Sequence, residues 1–528
     1  MGVYMSPTSI SQKIKKIMKG NENFFTYSSI IVVGIVIYAL STLKHGIGVT
    51  PDSVIYFDCG RSLSEFGGFN SFTGPFHRYA PLYPILLSPL IFAGMSATSG
   101  AWLLNGLTFV SILVFTSYII LKYLRMRWMA IAGILLLILS KSIMGVSSMA
   151  WTEPLFILLV IGSLFMLTGY LETKNNRLYV FGAVLASLAA LTRYIGVTLV
   201  ITGFLLILFD RNRPWKKRIE NSMIFGIISS LPVTMFMIRN LLVTNTLLGE
   251  RPSSDTTPLE AMERTARYFT NWYIPQIFSE GVYTTVIIIF TTTFILGLIY
   301  LLIKSNERRK IAPWVLFTGV YIFYLNLSSI LVGFEGIKNR LLSPVFIPSL
   351  LILLWIIQQV ISKTLTNDNG RLHSSLKRGA TYTLMAILIL FITSSAGSLS
   401  VEIRNKINDG AGGYSRNVWE DSEIIEELES TELRGPVYSN DPWALRYKLD
   451  FEEPRLSPRK TFGNSPEETD DLKEFEKELK SNDNVTLIWF TDGVNRDYIY
   501  PLDHIESNYN TSTKVSVSDG LVLEIRNK

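Results

Sequence analysis

The sequence predicts a polytopic α-helical membrane protein that closes with a small α/β domain. Three observations carry that expectation. The 528 residues are 48% hydrophobic and only 17% charged, against about 25% charge in an average soluble chain. The apolar residues gather in runs of roughly twenty, the length that crosses about 30 Å of hydrocarbon. These runs stop near residue 398, and the remainder is polar with no spanning segment.

About eleven spans are expected, at roughly 26–43, 100–121, 128–146, 153–170, 178–192, 195–209, 219–239, 283–303, 311–331, 341–362 and 379–398. The first follows Lys13, Lys15, Lys16 and Lys19 and lacks a small-x-small cleavage site, so it reads as a retained span. One further segment, "PLYPILLSPLIFAGMSA" (81–97), is short and holds Pro81, Pro84 and Pro89. By length alone it could cross or lie in the interface. Loop charge decides between these. With the N-terminus cytoplasmic and 81–97 not crossing, the inside loops are "KYLRMR", "LETKNNR", "DRNRPWKKR", "KSNERRK" and "SKTLTNDNGRLHSSLKR". Each carries an excess of Lys and Arg, as the positive-inside rule requires. Residues 81–97 are therefore expected to form a juxtamembrane or re-entrant helix.

On this topology residues 44–99 are the first external loop, followed outside by 141–153, 240–282 and 332–340. The hinge "TRYIG" (192–196) also faces outward. An odd number of spans makes the C-terminal domain extracytoplasmic, which divides the chain into 1–398 and 399–528. In that domain "NVWEDSEIIEELES" and "PEETDDLKEFEKELK" read as amphipathic helices. "GPVYSN" and "NVTLIWF" read as strands, and "TKVSVSDGLVLEIR" as a hairpin turning near Asp519 and Gly520. The net charge of +6 sits in short loops; it sets topology and implies no nucleic-acid partner. A single cysteine, Cys59, excludes an intrachain disulfide.

Apart from the longer loop 240–282, the acids near the outer membrane edge are Asp52, Asp58, Glu65, Glu153 and Glu335. Glu65 and Glu335 read as wet loop residues. Asp52 opens a helix at "TPDSVIY", where a capping role alone also accounts for it. Glu153 heads a span, where an acid suits the helix dipole. Asp58 lies about one and two-thirds turns from Asp52, off its face, and reads as structural or accessory. The external cations are Arg61, Arg78, Arg193, Lys338 and Arg340. Arg193 sits between two short apolar runs, a depth at which an ionisable group is functional or holds a lipid headgroup. "HRYAPLYP" adds His77, Arg78, Tyr79 and Tyr83, aromatics that also suit an interfacial belt. Carboxylates facing arginines at the bilayer edge suit a lipid phosphate and a sugar. Arg and Lys hold phosphate oxygens, and a carboxylate takes the proton of an attacking hydroxyl.

The stretches "PDSVIYFDCGRSL", "GPFHRYAPLYPILLSPL", "SSMAWTEPLFILL", "LTRYIGVTLV" and "IKNRLLSPVFIPSLLIL", in that order, resemble the GT-C membrane glycosyltransferases. The likeness is to the protein O-mannosyltransferases and the lipid A aminoarabinose transferases, a glycosyltransferase family 39-like pattern over the first 400 residues. It implies a GT-C-like bundle in the cell membrane, among membrane lipids. It implies a polyprenyl-phosphate-linked sugar donor and transfer to a lipid, glycan or protein acceptor at the outer face. Asp52 then matches the family's first-loop catalytic aspartate and Glu153 the acid of the second external loop. Arg193 and Arg340 carry over as phosphate contacts. His77, Arg78, Tyr79, Tyr83, Tyr194 and Lys338 are expected around the substrate, with Asp58 and Arg61 accessory. The chain departs from the family in having Ser53 after Asp52 where Asp-Glu is usual, and "APLYP" in place of "PPL". No metal ligand is assigned, and a divalent cation stays open as a cofactor. The segment "YSNDPWALRY" is a candidate to face the catalytic cavity. Two other classes remain. A lipid or sugar flippase needs charged groups at mid-bilayer or broken helices in related halves. A non-catalytic anchor for the C-terminal domain makes Asp52 dispensable.

Overall fold

A computed structural model describes residues 7–527 apart from 275–278, 305–307, 334–335, 367–370, 463–466, 483 and 495; Glu335 thus lies outside the described residues. Helix α1 (Pro7–Thr42) contains the first apolar span, Phe25–Thr42. The loop that follows holds α2 (Pro51–Ser64), a small hairpin of β1 (Asn70–Ser71) and β2 (Gly74–Pro75), and α3 (Leu82–Phe92). Helix α2 starts where the sequence places a start: Pro51 occupies its first turn, and Thr50 and Ser53 close a reciprocal capping box. At 11 residues, α3 is about 16 Å long, roughly half the hydrocarbon thickness.

The bundle continues with α4 (Ala97–Tyr123), α5 (Arg127–Ile138) extended by α6 (Lys141–Ser147), and α7 (Glu153–Thr173). Next come α8 (Asn176–Thr192), α9 (Val197–Leu208), α10 (Trp215–Thr244), α11 (Pro258–Asn271), α12 (Glu280–Lys304) and α13 (Arg308–Leu331). The short α14 (Asn339–Leu342), α15 (Phe346–Thr366) and α16 (Arg371–Asp409) complete it. Among the described residues nine helices are long and apolar enough to cross a membrane. The two other expected spans are the shorter α8 and α9. They are short because the chain turns between them: Arg193 is extended (φ −149°, ψ 133°) and Tyr194–Gly196 forms a 3-10 turn. Gly196 is required there, since a Cβ would come within 2.6 Å of the Ala190 backbone. Helices α7 and α15 run through the middle of the bundle, and α12 and α16 lie at its periphery.

Beyond α16 come α17 (Asn417–Glu420), α18 (Glu423–Ser430), β3 (Val437–Ser439), α19 (Pro442–Leu449), β4 (Arg455–Leu456), α20 (Asp471–Ser481), β5 (Val485–Phe490), α21 (Leu502–Asn508), β6 (Asn510–Val517) and β7 (Gly520–Arg526). The sheet runs β4-β3-β5-β7-β6, with β3 parallel to β4 and β5 and the β6–β7 hairpin antiparallel. The segment "NVWEDSEIIEELES", expected as one helix, is two. The Ser422 side chain caps α18 at Ile425 N, and Asp519 accepts from Ile424 N, so the chain restarts there instead of continuing.

The site is positioned by the way this region docks. The stretch before α2 is held on both sides by backbone bonds: Gly48 N donates to Ser148 O (2.9 Å), and Tyr414 N to Val49 O (2.7 Å). Ser415 Oγ donates to Ile47 O (2.7 Å). The first turn of α2 is thereby fixed against both the head of α7 and the chain leaving α16.

Candidate active site

Asp52 lies in the first turn of α2. Its carboxylate accepts from Tyr79 Oη (2.8 Å) and lies 2.8 Å from Arg340 Nη2. Arg340, one residue into α14, reaches the other way as well: its Nε is 2.6 Å from Glu153 Oε1. The same oxygen of Glu153 pairs with Arg193, whose Nη1 also donates to Thr152 Oγ1 (3.0 Å). Tyr79, Asp52, Arg340, Glu153 and Arg193 thus form one continuous chain. Glu153 is fully buried, and its Oε2 has no partner among the described residues. Two arginines against two carboxylates keep the buried part near neutrality, the condition under which such charges persist away from water.

The Arg340 guanidinium also stacks on Trp151, 4.0 Å from the ring centre, and Trp151 Nε1 donates to Thr50 Oγ1 (2.9 Å). The residue that caps α2 therefore holds the indole under the arginine that meets Asp52. A flat guanidinium can stack and bridge two carboxylates at once; an ammonium cannot.

Burial pushes the Asp52 carboxyl upward, but the Arg340 charge and the hydrogen bonds from Tyr79 and Arg340 outweigh it and hold Asp52 below its ordinary value. Burial and the Asp52 charge drive the Tyr79 hydroxyl well above its usual range, so it remains a phenol and donates. Asp52 is the ionised acceptor of this pair at neutral pH.

Asp52 opens onto a cavity of about 390 Å³. Among the described residues Arg78, Arg251, Lys338, Arg340 and Arg459 line it, with Asp52 and Glu250 as its acids. Arg251 Nη2 donates to the Arg78 carbonyl (3.2 Å). Burial, and then the neighbouring Arg78 charge, pull the Arg251 guanidinium below its ordinary value. Two cations crowded in this way make a place for an anion.

Of the residues singled out in the sequence, Asp52, Arg78, Lys338 and Arg340 line this cavity, and Tyr79, Glu153 and Arg193 support it. His77 and Tyr194 belong to its backbone frame: Tyr194 Oη donates to the carbonyls of His77 and Tyr79, both at 3.0 Å. The His77 ring turns instead to Pro75 O (2.6 Å). Tyr83 lies outside the cavity lining. It is fully buried, packs on Tyr56 and donates to Asn105 Oδ1 (3.0 Å). Asp58 and Arg61 lie at a different junction. Asp58 meets Arg446 Nε (3.0 Å) and accepts from Phe72 N (3.2 Å), while Arg61 reaches Asp450 (3.3 Å). So "YSNDPWALRY" supplies Arg446 to the back of α2 rather than a wall of the cavity. The C-terminal region reaches the cavity through Arg459, Phe462 and Tyr498. These, with Glu250 and Arg251, carry no sequence signal of their own; their loops are ordinary in composition. Among the described residues no group of three or more His, Cys, Asp or Glu gathers as a metal site.

No protein-family model matches the chain, and no curated protein matches it in sequence. Solved structures do match. The chain superimposes on ArnT from Cupriavidus metallidurans with a TM-score of 0.57 and 13% identity, over 94% of this chain and 97% of ArnT. The ArnT structure bound to undecaprenyl phosphate matches with a TM-score of 0.56, at the same identity and coverage. The archaeal oligosaccharyltransferase AglB from Archaeoglobus fulgidus, in complex with an inhibitory peptide and a dolichol-phosphate, matches at 0.50 and 12% identity, over 96% of this chain and 74% of AglB. At such identities the likeness is one of architecture, and it extends over nearly the whole chain: this is a multi-pass membrane protein with the GT-C fold.

Proposed function

We propose that the chain is a membrane glycosyltransferase that moves a sugar from a polyprenyl-phosphate-linked donor to a hydroxyl-bearing acceptor. The observation that carries this reading is Asp52, held ionised by Arg340 and Tyr79 at the floor of a cavity otherwise rich in cations. Arg78, Arg251 and Lys338 hold the donor phosphate. The acceptor oxygen attacks the anomeric carbon, the bond from that carbon to phosphate oxygen breaks, and polyprenyl phosphate leaves. The acceptor proton goes to Asp52. A carboxylate of low basicity takes it late, once the attacking oxygen has bonded to carbon and become acidic. Glu153 and Arg193 hold Arg340 in place, and the leaving phosphate keeps its charge against the arginines.

The ionised groups gather at one end of the bundle, near the heads of α2, α7 and α14, which favours chemistry at one face over carriage through mid-membrane. The Lys and Arg excess of the alternate loops supports a cytoplasmic N-terminus and an outward site. It likewise supports an extracytoplasmic domain closing the membrane domain, with the junction later than the expected 398, since α16 runs on to Asp409. The first test uses the full chain in lipid vesicles with polyprenyl-phosphate sugars. Wild type is expected to consume a donor and Asp52→Asn to leave it intact at equal protein level. Turnover retained by Asp52→Asn removes Asp52 as the base.

A further inference from the structure

A second cavity of about 420 Å³ lies beside the first. Consecutive residues of α14 separate the two: Arg340 lines the first cavity and Asn339 the second. Both have the size of small-molecule sites, but their chemistry differs. The second takes hydroxyls from α16 at Ser394, Ser395 and Ser398. Among the described residues its one charged lining residue is Lys141, which pairs with Glu402 at 3.0 Å, a carboxylate that Lys406 shares at 3.6 Å. It therefore offers an anion one paired lysine, against the five cations that line the first cavity.

Its polar groups suit hydroxyls. Ser142 is buried, lines the cavity, and its Oγ has no hydrogen-bond partner among the described residues. A buried hydroxyl left without a partner costs stability that a ligand can restore. Asn339 Oδ1 accepts from Trp272 Nε1 (2.7 Å). That bond fixes the Asn339 amide and sets the indole as one wall. Neutral donors and acceptors beside an aromatic wall match a sugar ring, with its hydroxyls at the edge and its C–H groups on the face. The depth agrees with a lipid-borne ring: the serines lie on a spanning helix two to three turns before Lys406, which bonds the Ala411 carbonyl at the foot of the C-terminal region.

We infer that this second cavity binds the uncharged, hydroxylated sugar headgroup of a membrane amphiphile, and that this amphiphile is the acceptor. The inference rests on reading the Asp52 cavity as the donor-phosphate site. A neutral ring enters between α16 and α11, and its hydroxyl is presented to Asp52 past Asn339.

The test is photo-crosslinking of the full chain in nanodiscs with a photoreactive n-alkyl glucoside, mapped by peptide mass spectrometry. Labels are expected within 268–273 and 394–398. Unlabelled n-alkyl glucoside should compete, and n-alkyl phosphate should not. Ser142→Leu should weaken labelling about tenfold, the loss of one hydrogen bond to a ligand. Ser398→Leu, at an exposed position, should do the same without threatening the fold. Labels elsewhere, equal competition by the phosphate, or labelling unchanged in both variants would overturn the inference. Arg340→Gln separates the two sources of a sugar ring. Labelling that survives it belongs to the acceptor; labelling lost with it belongs to the donor's own sugar and overturns the acceptor assignment. If the glucoside labels this cavity while wild type consumes no polyprenyl-phosphate sugar, the binding site stands and the transferase reading fails.

Discussion

Arg340 Nη2 lies 2.8 Å from the Asp52 carboxylate while Arg340 Nε lies 2.6 Å from Glu153. One guanidinium thus ties the first loop to the head of α7. It also decides the protonation of Asp52, because burial alone would raise that carboxyl and Arg340 is the strongest influence lowering it. Activity should therefore persist as pH falls until it drops below the usual carboxylate range. Arg340→Gln removes the lowering charge, so the acid limb of kcat/KM should move to higher pH. Arg340→Lys keeps the charge but not the fork, and should fall between. An acid limb unmoved in Arg340→Gln would show that Asp52 does not set it. The sign for stability is the same: the contribution of a lowered carboxyl is full above its unfolded value and is lost as pH falls through its folded one.

Glu153 is fully buried and faces two arginines through one oxygen. Glu153→Ala should destabilise the protein by about 3–5 kcal/mol, the cost of leaving buried charge uncompensated. The paired change Glu153→Leu with Arg193→Leu should recover part of that loss. Thermal unfolding in detergent gives both values, and a double variant no more stable than Glu153→Leu alone would count against the pairing.

Asp58 and Arg446 join α2 to α19, with Asp58 almost wholly buried. Arg446→Ala should cost about 3 kcal/mol and lower kcat more than it alters donor binding, because α2 carries Asp52 on another face, about a third of a turn round. The check is a kcat against KM comparison. A change confined to donor KM would place Arg446 in the binding of donor instead.

Gly413 has φ +57°, and a Cβ there would come within 1.9 Å of Val49 O. Gly413→Val should break the bonds that hold residues 47–49 against 412–415, at about 1–3 kcal/mol for the backbone strain alone. Limited proteolysis should then cut between α16 and α17 faster than in wild type. An unchanged cleavage pattern would mean that this contact is dispensable for docking.

Orientation is tested with Cys59→Ala as background, the single native thiol being buried. A cysteine at the exposed position 427 should react with a membrane-impermeant thiol reagent added to intact cells. Labelling only after the cells are opened would invert the topology.

Much of this architecture was legible in the sequence because a bilayer imposes simple rules. Each expected span corresponds to an apolar helix, and Pro51 announced α2, although the cap is Thr50 and not Asp52. Asp52, Glu153, Arg193 and Arg340 stood out because ionisable groups at the heads of apolar helices are rare. Their joining into one chain was not legible, since it depends on α2, α7 and α14 meeting in space. Arg251, Arg459 and Tyr498 gave no signal, as each arrives on a loop whose position follows from long-range packing. Tyr83 misled for the same reason: its partner Asn105 lies on α4 and turns an interfacial aromatic into a core residue.

Whether Asp52 drives the proposed sugar transfer is read from mass spectrometry of surface glycans and lipids. Cells carrying wild type, Asp52→Asn or no copy of the gene are compared. One sugar increment is expected with wild type, missing equally from the other two. The increment persisting in Asp52→Asn, or no difference between wild type and the null strain, would contradict it.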